Sequence, residues 1–426
     1  MRRLLSLAIG ALVCVVGSTT SFAGPGPVTK VETVSGGSPF SPDGCGVNTD
    51  LLDSEHDATL AVDPRNADHL VATWIQDNTL SSAIGTSVDG GRTWTKSLVP
   101  RLTRCTGSAR WDYAFDPWVS IGPNGIAYMS SIVNGTGPIP SPNPLPEYGL
   151  AVSRSIDGGL TWDDAAFPFE SATYGTILDK SAITADATRP GHAHVVTTML
   201  PNVLLHARTT DRGETWSDAR PIYSGKPGFA SFGAEIVALP DGTLLNIFGE
   251  WPLNFFPAAV AQSEQLAAVG ENEVLVMRST DGGESWSAPS TVVTFPPWVA
   301  RDAETGEATV APWRVVRSDV GEDGTIWVVW DESIFGDSRI RLTRSTDGGM
   351  TWSDPVDVVA AEDAILKPTI AVSTDALVVT FYDFRNDTPQ DGELTTDVWL
   401  RHSHDGGASW EETHLGGPFD LKKVRT

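Results

Sequence analysis

The sequence predicts an all-β fold, a six-bladed β-propeller of four-stranded antiparallel blades. Three observations support this prediction: one turn motif occurs six times, its copies lie 54 to 70 residues apart, and alternating apolar segments flank them. A repeat of that length is typical of stacked or circular supersecondary units. Radial repetition of four-stranded sheets also protects their edges, so many short strands can coexist in one chain.

The repeated motif has the pattern Ser/Thr-x-Asp-x-Gly-x-Thr/Ser-Trp, and its first copy spans Ser87 to Trp94. Its six aspartates are Asp89, Asp157, Asp211, Asp281, Asp347 and Asp405. In a tight turn, an aspartate carboxylate accepts backbone N–H bonds and glycine supplies a positive φ. Tryptophan buries its ring while its N–H needs an acceptor. We therefore assign the motif a structural role, as the turn between the third and fourth strands of each blade.

The residues before each motif predict three further strands. In the first repeat, residues 57–62 turn through 63–68 into residues 69–74, and residues 82–86 lead into the motif. The starts of the first strands and the second-to-third loops then lie together at the mouth of the central channel. We expect a binding site there, because functional residues concentrate on loops at one end of a rigid scaffold.

The chain outside the propeller divides into three predicted segments. Residues 1–23 combine a basic start, an apolar core and a small-residue cleavage site, which is typical of a secretory signal peptide. An N-terminal arm follows at 24–53, the propeller spans 54–418, and a C-terminal tail covers 419–426. We expect a secreted or periplasmic protein without a membrane span, because the apolar segment is short for one. The oligomeric state is not predicted.

Two cysteines remain after the signal peptide, Cys45 in the arm and Cys105 in the segment that leads into the second blade. In an exported chain two such residues suggest one disulfide, and the alternative is a pair of free thiols.

The formal net charge of −25 argues against binding of a phosphate backbone, so no nucleic-acid partner is expected. No cluster of histidine and cysteine predicts a metal site, and we expect no cofactor. Carboxylate oxygens could hold a structural Ca²⁺, although no loop has a recognised calcium-binding spacing.

Six copies of this motif, known as the Asp-box, in six four-stranded blades resemble the sialidase (neuraminidase) superfamily over nearly the whole predicted mature chain. The resemblance implies a glycan or glycoconjugate partner and a retaining exo-α-sialidase reaction. In that family arginines bind the sialate carboxylate, a tyrosine activated by a glutamate is the nucleophile, and an aspartate is the acid/base. Bidentate guanidinium groups suit an anionic sugar.

The resemblance suggests roles for individual residues. Asp77, in the second-to-third loop of blade 1, takes the place of the acid/base. Glu235, on the first strand of blade 4, would be a general base or activate the nucleophile, and Tyr382 could be that nucleophile. The residues expected to bind substrate are Arg317, Arg339, Arg385, His56, Asp57 and Lys367.

Three segments depart from the family pattern. Glu55-His56-Asp57 and Gly249-Glu250-Trp251 stand where arginines are expected, and Leu366-Lys367-Pro368 stands where the tyrosine is expected. The repeat alone places further charged residues at the mouth, with tryptophans beside them: Asp116, Asp179, Lys180, Asp319, Asp331, Glu332, Asp383, Asp387, Trp74, Trp118, Trp251 and Trp330. Carboxylates outnumber cations there, and crowded carboxylates raise one another's pKa, which suits a general acid.

Three functional hypotheses follow. The leading one is a secreted, sialidase-like glycoside hydrolase that cleaves terminal sugars from glycans. The incomplete arginine set motivates the second, a non-catalytic propeller that binds glycans or proteins. The acidic mouth motivates the third, a hydrolase or lyase that acts on a different sugar.

Overall fold

The computed structural model describes residues 31–40, 45, 53–135, 147–171, 176–252, 270–296, 316–334, 337–361, 365–388 and 391–423. The predicted signal peptide at 1–23 lies outside these residues. The chain forms two compact units, Met1–Tyr223 and Ser224–Thr426, here called unit 1 and unit 2.

The prediction of a six-bladed β-propeller is confirmed. Six four-stranded antiparallel sheets follow one another, and each contains four consecutive strands in chain order. In the described part of the chain, helical structure is limited to the short 3-10 turns Arg104–Thr106 and Leu421–Lys423. No helix among the described residues is long and apolar enough to cross a membrane.

Unit 1 contains blades 1 to 3. Blade 1 consists of β1 (Glu55–Asp63), β2 (Asn66–Gln76), β3 (Ser81–Ser87) and β4 (Thr95–Leu98). Blade 2 consists of β5 (Tyr113–Ile121), β6 (Ala127–Gly135), β7 (Glu147–Ser155) and β8 (Ala166–Glu170). Blade 3 consists of β9 (Leu178–Ala185), β10 (Ala193–Met199), β11 (Val203–Thr209) and β12 (Arg220–Ser224).

Unit 2 contains blades 4 to 6. Blade 4 consists of β13 (Phe229–Ala238), β14 (Leu244–Pro252), β15 (Asn272–Ser279) and β16 (Ser290–Phe295). Blade 5 consists of β17 (Arg317–Val320), β18 (Ile326–Ile334), β19 (Asp337–Ser345) and β20 (Val356–Ala361). Blade 6 consists of β21 (Ile365–Val372), β22 (Leu377–Asp383), β23 (Thr395–Ser403) and β24 (Glu411–Asp420), so its last strand runs two residues past position 418.

The core lies between neighbouring blades within each unit. Val71 of blade 1, Val119 of blade 2 and the motif tryptophan Trp162 belong to one buried cluster. A corresponding cluster in unit 2 joins Leu342 of blade 5 to Phe381 of blade 6. The alternation of each strand therefore places its apolar side chains against the next sheet.

Each motif closes its own turn through the aspartate carboxylate. In the second copy, Asp157 Oδ1 accepts bonds from Ser155 Oγ at 2.7 Å and from the Thr161 N–H at 2.9 Å, and Oδ2 accepts from Thr161 Oγ1 at 2.6 Å. Trp162 Nε1 donates to the Gly159 carbonyl at 3.0 Å. The Ser/Thr-to-aspartate bond occurs in all six copies. These hydrogen bonds use both oxygens of the carboxylate within the turn.

In blades 1 and 2, the residue before the motif reaches the motif of the next blade. Thr86 Oγ1 in blade 1 donates to the Gly159 carbonyl in blade 2 at 2.8 Å. Arg154 Nη1 in blade 2 donates to the Arg212 carbonyl in blade 3 at 3.0 Å. His69 Nε2 adds a second contact between blades 1 and 2, 2.7 Å from the Gly158 carbonyl. Neighbouring turns are thus linked by polar contacts outside the apolar core.

The N-terminal arm packs on blade 1. Phe40 is buried against Leu80, beside the disulfide that joins Cys45 to Cys105 with a Cα–Cα distance of 5.2 Å. Lys96 Nζ donates to the Gly37 carbonyl at 2.5 Å. The arm is therefore attached to blade 1 by contacts of Gly37 and Phe40, and to the segment before blade 2 by the disulfide.

Replacing Gly158 with alanine tests the contact between blades 1 and 2. Gly158 has a φ of 76°, and an added Cβ would lie 2.2 Å from His69 Cε1. Gly392→Ala is the matched control, because its φ is 80° and no described atom lies within 4 Å of the added Cβ. Both variants incur the left-handed backbone cost of about 1–2 kcal/mol. We expect Gly158→Ala to lose about 1–3 kcal/mol more, measured by urea unfolding, from overpacking. Equal losses would show that the contact adds nothing.

Candidate functional site

Five of the first strands contain a β-bulge near their start, and each bulge carries a residue with positive φ. These residues are Asp57 (φ 51°), Asp116 (φ 48°), Lys180 (φ 48°), Gly233 (φ 65°) and Lys367 (φ 52°). A non-glycine residue incurs about 1–2 kcal/mol in this conformation, and four of the five are charged. Bulges redirect single side chains and are frequent beside active sites. We therefore expect functional residues at the starts of the first strands.

Three of these residues, Asp57, Asp116 and Lys180, form one ion-paired group in unit 1, and Asp179 is hydrogen-bonded to it. We call Asp57, Asp116, Asp179 and Lys180 the lysine–carboxylate cluster. Lys180 Nζ lies 2.6 Å from Asp116 Oδ1 and 3.7 Å from Asp57 Oδ2. The Lys180 backbone N–H donates to Asp116 Oδ2 at 3.2 Å and to Asp179 Oδ1 at 3.0 Å. The cluster joins the first strands of blades 1, 2 and 3 around one ammonium group.

The members of the cluster differ in exposure and in protonation. Asp116 is 8% exposed, whereas the side chains of Lys180 and Asp57 are 27% and 32% exposed. Burial, followed by the negative charge of Asp116, raises the pKa of the Asp179 carboxyl to about 7. Burial acts against the charged form of Lys180, but Asp116 and Asp57 outweigh it and raise the Lys180 pKa. Near neutral pH the cluster thus sets a proton-holding carboxyl beside carboxylates, the arrangement that general acid/base catalysis needs.

His56 and Asp57, both predicted to bind substrate, lie side by side at this cluster. His56 Nδ1 is 3.5 Å from Asp57 Oδ2. The sequence predicts Asp116, Asp179 and Lys180 at the same channel mouth, but it assigns substrate binding only to His56 and Asp57 among these residues.

Asp77, the predicted acid/base, lies just after β2 with a φ of 52° and is 3% exposed. Its Oδ1 accepts bonds from the Asp53 backbone N–H at 2.8 Å and from Gln76 Nε2 at 2.9 Å. Its Oδ2 accepts a bond from Ser38 Oγ. The N-terminal arm therefore holds this carboxylate.

Gln76 connects Asp77 to another carboxyl group. Its Nε2 also donates to Glu55 Oε1 at 3.2 Å, and its Oε1 accepts from Trp74 Nε1 at 2.9 Å. Burial is the main cause that raises the pKa of Glu55 to about 7. The side-chain bonds of Gln76 fix its orientation between the two carboxyl groups.

In unit 2, Glu235 and Arg317 lie close together. Glu235 Oε2 is 3.8 Å from Arg317 Nη1, and Oε1 accepts bonds from the backbone N–H and from Oγ of Ser318, the latter at 2.7 Å. Burial raises the pKa of Glu235 to about 7, although Arg317 opposes this shift.

The carboxylate of Asp319 connects two neighbouring blades. Its carboxylate accepts bonds from the Val320 N–H at 2.8 Å and from the Val372 N–H at 2.7 Å, which joins blade 5 to blade 6. Ser120 Oγ accepts from the Ala185 N–H at 3.0 Å in the same way between blades 2 and 3. Burial raises the pKa of the Asp319 carboxyl to about 6, but its hydrogen bonds connect strands of the propeller, so we assign it a structural role.

The other predicted arginines are also paired with carboxylates. Arg339 Nη1 donates to Asp357 Oδ2 at 2.6 Å. Arg385 bonds Asp383 through Nε and Glu412 through Nη1 at 2.6 Å, and its guanidinium lies 4.1 Å from the Trp399 ring centroid.

Tyr382 and Lys367 lie in blade 6. Tyr382 is buried and packs edge-on against Phe419 with a centroid distance of 6.2 Å, whereas Lys367 is partly exposed at its bulge. The predicted site residues are thus distributed, with Asp77, His56 and Asp57 in unit 1 and the others in unit 2.

The charged residues of the bulges recur at one position of the sequence repeat. Each of these residues lies six positions before the last residue of its first strand, or before the residue that follows that strand: Asp57, Asp116, Lys180 and Lys367. The tryptophans expected beside the carboxylates behave differently: Trp74, Trp251 and Trp330 are 1–3% exposed and pack in the interior. Within the described residues, no group of three or more His, Cys, Asp or Glu could hold a metal ion.

Comparison with known sequences gives a distant likeness. No family model matches the chain. It is 26% identical over 293 residues to the xyloglucanase Xgh74A of Acetivibrio thermocellus, and the alignment covers 61% of this chain and 30% of that protein. The chain therefore spans less than a third of the curated relative that it matches.

Solved structures with a similar fold share little sequence. A Dyadobacter fermentans protein of unknown function has a TM-score of 0.51 and 13% identity, with 81% of this chain and 94% of that chain covered. The NanB sialidase of Streptococcus pneumoniae has a TM-score of 0.49 and 13% identity, with 81% and 67% covered. The Trypanosoma rangeli sialidase has a TM-score of 0.46 and 15% identity, with 83% and 55% covered. The likeness to the Dyadobacter protein supports the propeller fold and leaves the chemistry open.

Glu235→Gln should change how stability depends on pH. Because the folded pKa of about 7 exceeds the usual 4.5, the contribution of Glu235 is fully present below pH 4.5 and is lost as pH rises through 7. Glutamine does not titrate, so we expect the variant to gain about 1–3 kcal/mol over the wild type between pH 4.5 and 8. Urea unfolding at both pH values measures this, with the exposed Glu322→Gln as control. A stability difference that is equal at the two pH values would contradict the assignment.

Proposed function

We propose that the protein is a secreted glycoside hydrolase that cleaves glycans with the lysine–carboxylate cluster as its catalytic centre. The observation that carries the proposal is the convergence of Asp179, Asp116 and Asp57 around Lys180, where burial and the charge of Asp116 raise the Asp179 pKa to about 7. No cofactor is needed for this chemistry. The signal-like N-terminal sequence supports export.

In the proposed reaction, Asp179 donates its proton to the glycosidic oxygen as the bond from that oxygen to the anomeric carbon breaks. Asp57, the more exposed carboxylate, accepts a proton from a water molecule whose oxygen bonds to the anomeric carbon. Lys180 is a positioning residue, because its ammonium group holds Asp57 and Asp116 in place.

Two further observations support action on glycans. The chain is similar in sequence to a xyloglucanase, an enzyme named for a glycan substrate. The six Asp-box turns and the position of Asp77 also resemble the sialidase superfamily.

An exo-α-sialidase is the second candidate, with Asp77, Glu235 and Tyr382 as its catalytic groups. It is favoured by one contact, the 3.8 Å approach of the Arg317 guanidinium to Glu235, whose raised pKa suits a general base. In this form Arg317, Arg339 and Arg385 would bind the sialate carboxylate. Asp77 would first have to leave its bonds to the N-terminal arm.

Asp179→Asn tests the leading proposal on a panel of fluorogenic glycosides that includes an α-sialoside. For the wild type we expect kcat/KM to fall as pH rises above about 7, because Asp179 then loses its proton. The variant should lose at least ~100-fold in kcat/KM, as removal of a general acid does. Asp218→Asn, at an exposed position between the strands of unit 1, is the matched control and should retain activity.

The outcomes separate the candidates. Loss of activity in Asp77→Asn, with Asp179→Asn still active, would favour the sialidase form. Saturable glycan binding without turnover by folded wild-type protein would contradict both and favour a non-catalytic propeller.

A further inference from the structure

We propose that this site selects uncharged glycans and discriminates against anionic sugars, because carboxylates already surround the cations that an acidic sugar would need. This inference rests on the proposed glycoside hydrolase function and adds its substrate class.

The ammonium group of the cluster is already neutralised. Lys180 Nζ lies between Asp116 at 2.6 Å and Asp57 at 3.7 Å, with Asp179 also bonded to the Lys180 backbone. A sugar carboxylate that approached Lys180 would meet two aspartate carboxylates at the same place. Like charges brought together in a partly buried site oppose binding.

Two of the predicted substrate-binding arginines, Arg339 and Arg385 in unit 2, are also bonded to carboxylates. Arg339 bonds Asp357 at 2.6 Å, and Arg385 bonds Glu412 through two nitrogens at 2.6 and 3.2 Å. Arg385 also bonds Asp383, which is fully buried. An anionic ligand could recruit Arg385 only by replacing one carboxylate with another, and Asp383 would then remain buried with a weakened ion pair. Replacing one carboxylate with another therefore adds no favourable charge interaction for Arg385.

The charge of the whole chain acts in the same direction at longer range. A net charge of −25 repels anionic substrates and lowers their rate of encounter, whereas it leaves uncharged substrates unaffected. Acidic polysaccharides would experience this repulsion most, because each sugar adds a charge.

Uncharged sugars suit the same groups. Their hydroxyls donate hydrogen bonds, and ionised carboxylates are acceptors only. The partly exposed carboxylate of Asp57 can accept such a bond without giving up its contact with Lys180, since its two oxygens offer about four acceptor positions.

A comparison of substrates at two salt concentrations tests the inference. The probes are the 4-methylumbelliferyl β-glucoside, β-galactoside and β-cellobioside as uncharged substrates, and the α-sialoside and β-glucuronide as anionic ones. We expect kcat/KM for the best uncharged probe to exceed that of either anionic probe by at least ~10-fold at low salt. Raising the salt to about 0.5 M should increase kcat/KM for the anionic probes and leave the uncharged ones unchanged, because salt screens repulsion.

Asp57→Asn isolates the role of the cluster. Asparagine adopts positive φ as readily as aspartate, so the bulge is preserved while one negative charge is removed. Isothermal titration with lactose and sialyllactose should show that the variant binds sialyllactose, relative to lactose, about tenfold better than the wild type does. Asp218→Asn removes the same charge from an exposed position outside the cluster and should leave that ratio unchanged.

The results distinguish this inference from the function on which it rests. Faster cleavage of the sialoside or glucuronide than of every uncharged probe would overturn the substrate class and leave the hydrolase proposal standing. Turnover of none of the glycosides by folded protein would overturn the hydrolase proposal. In that case the titrations decide: preference for lactose supports an uncharged ligand, and preference for sialyllactose or binding of neither sugar overturns it.

Discussion

The turn between the third and fourth strands is the constraint on which the other features of each blade depend. Its aspartate carboxylate accepts bonds from the serine or threonine before it and from the residue four positions later, so the carboxylate is satisfied within eight residues. These bonds, with that of the Thr93 side chain first, lower the pKa of Asp89 to about 2. Such a group stays ionised, carries no proton at working pH and has little capacity to act on a substrate. The carboxylates of the proposed site lie instead near the starts of the first strands, where the bulges are.

In the first strands, an unfavourable backbone conformation is linked to the meeting of charged side chains from three blades. A regular strand would alternate its side chains strictly between two faces, and a charged residue at its start would point wherever that alternation placed it. The bulges at Asp57, Asp116 and Lys180 break the alternation at one equivalent register in three successive blades. Because the three side chains then meet, the ion pairs and hydrogen bonds of the cluster offset the unfavourable backbone conformation. This coupling explains why charged residues, rather than glycine alone, occupy positions with positive φ.

The fold followed from the sequence because its determinants are local. The motif, the turn residues and the alternation act within about ten residues, so six copies predicted six blades and their strand order. The site followed only in part, because its determinants are non-local. Asp77 lies in the predicted loop, yet its bonds come from Ser38 and Asp53, which no local pattern connects to it. Likewise, the contact of Lys180 with Asp116 spans 64 residues and depends on a bulge that single-sequence periodicity does not reveal.

A raised pKa by itself does not identify a catalytic acid in this structure. Burial raises the pKa of Asp319, Glu235 and Asp179 alike, but their surroundings differ. Asp319 accepts one backbone N–H bond from its own strand and one from Val372 of the next blade, and Glu235 accepts two bonds from Ser318, so each holds a strand in place. Asp179 instead lies beside the carboxylate of Asp116, whose charge favours the protonated form and would be relieved by proton transfer to a substrate. Burial, the larger cause, and the neighbouring Asp116 carboxylate both raise the Asp179 pKa, and the neighbour is what supports the proposed role of Asp179 as the acid.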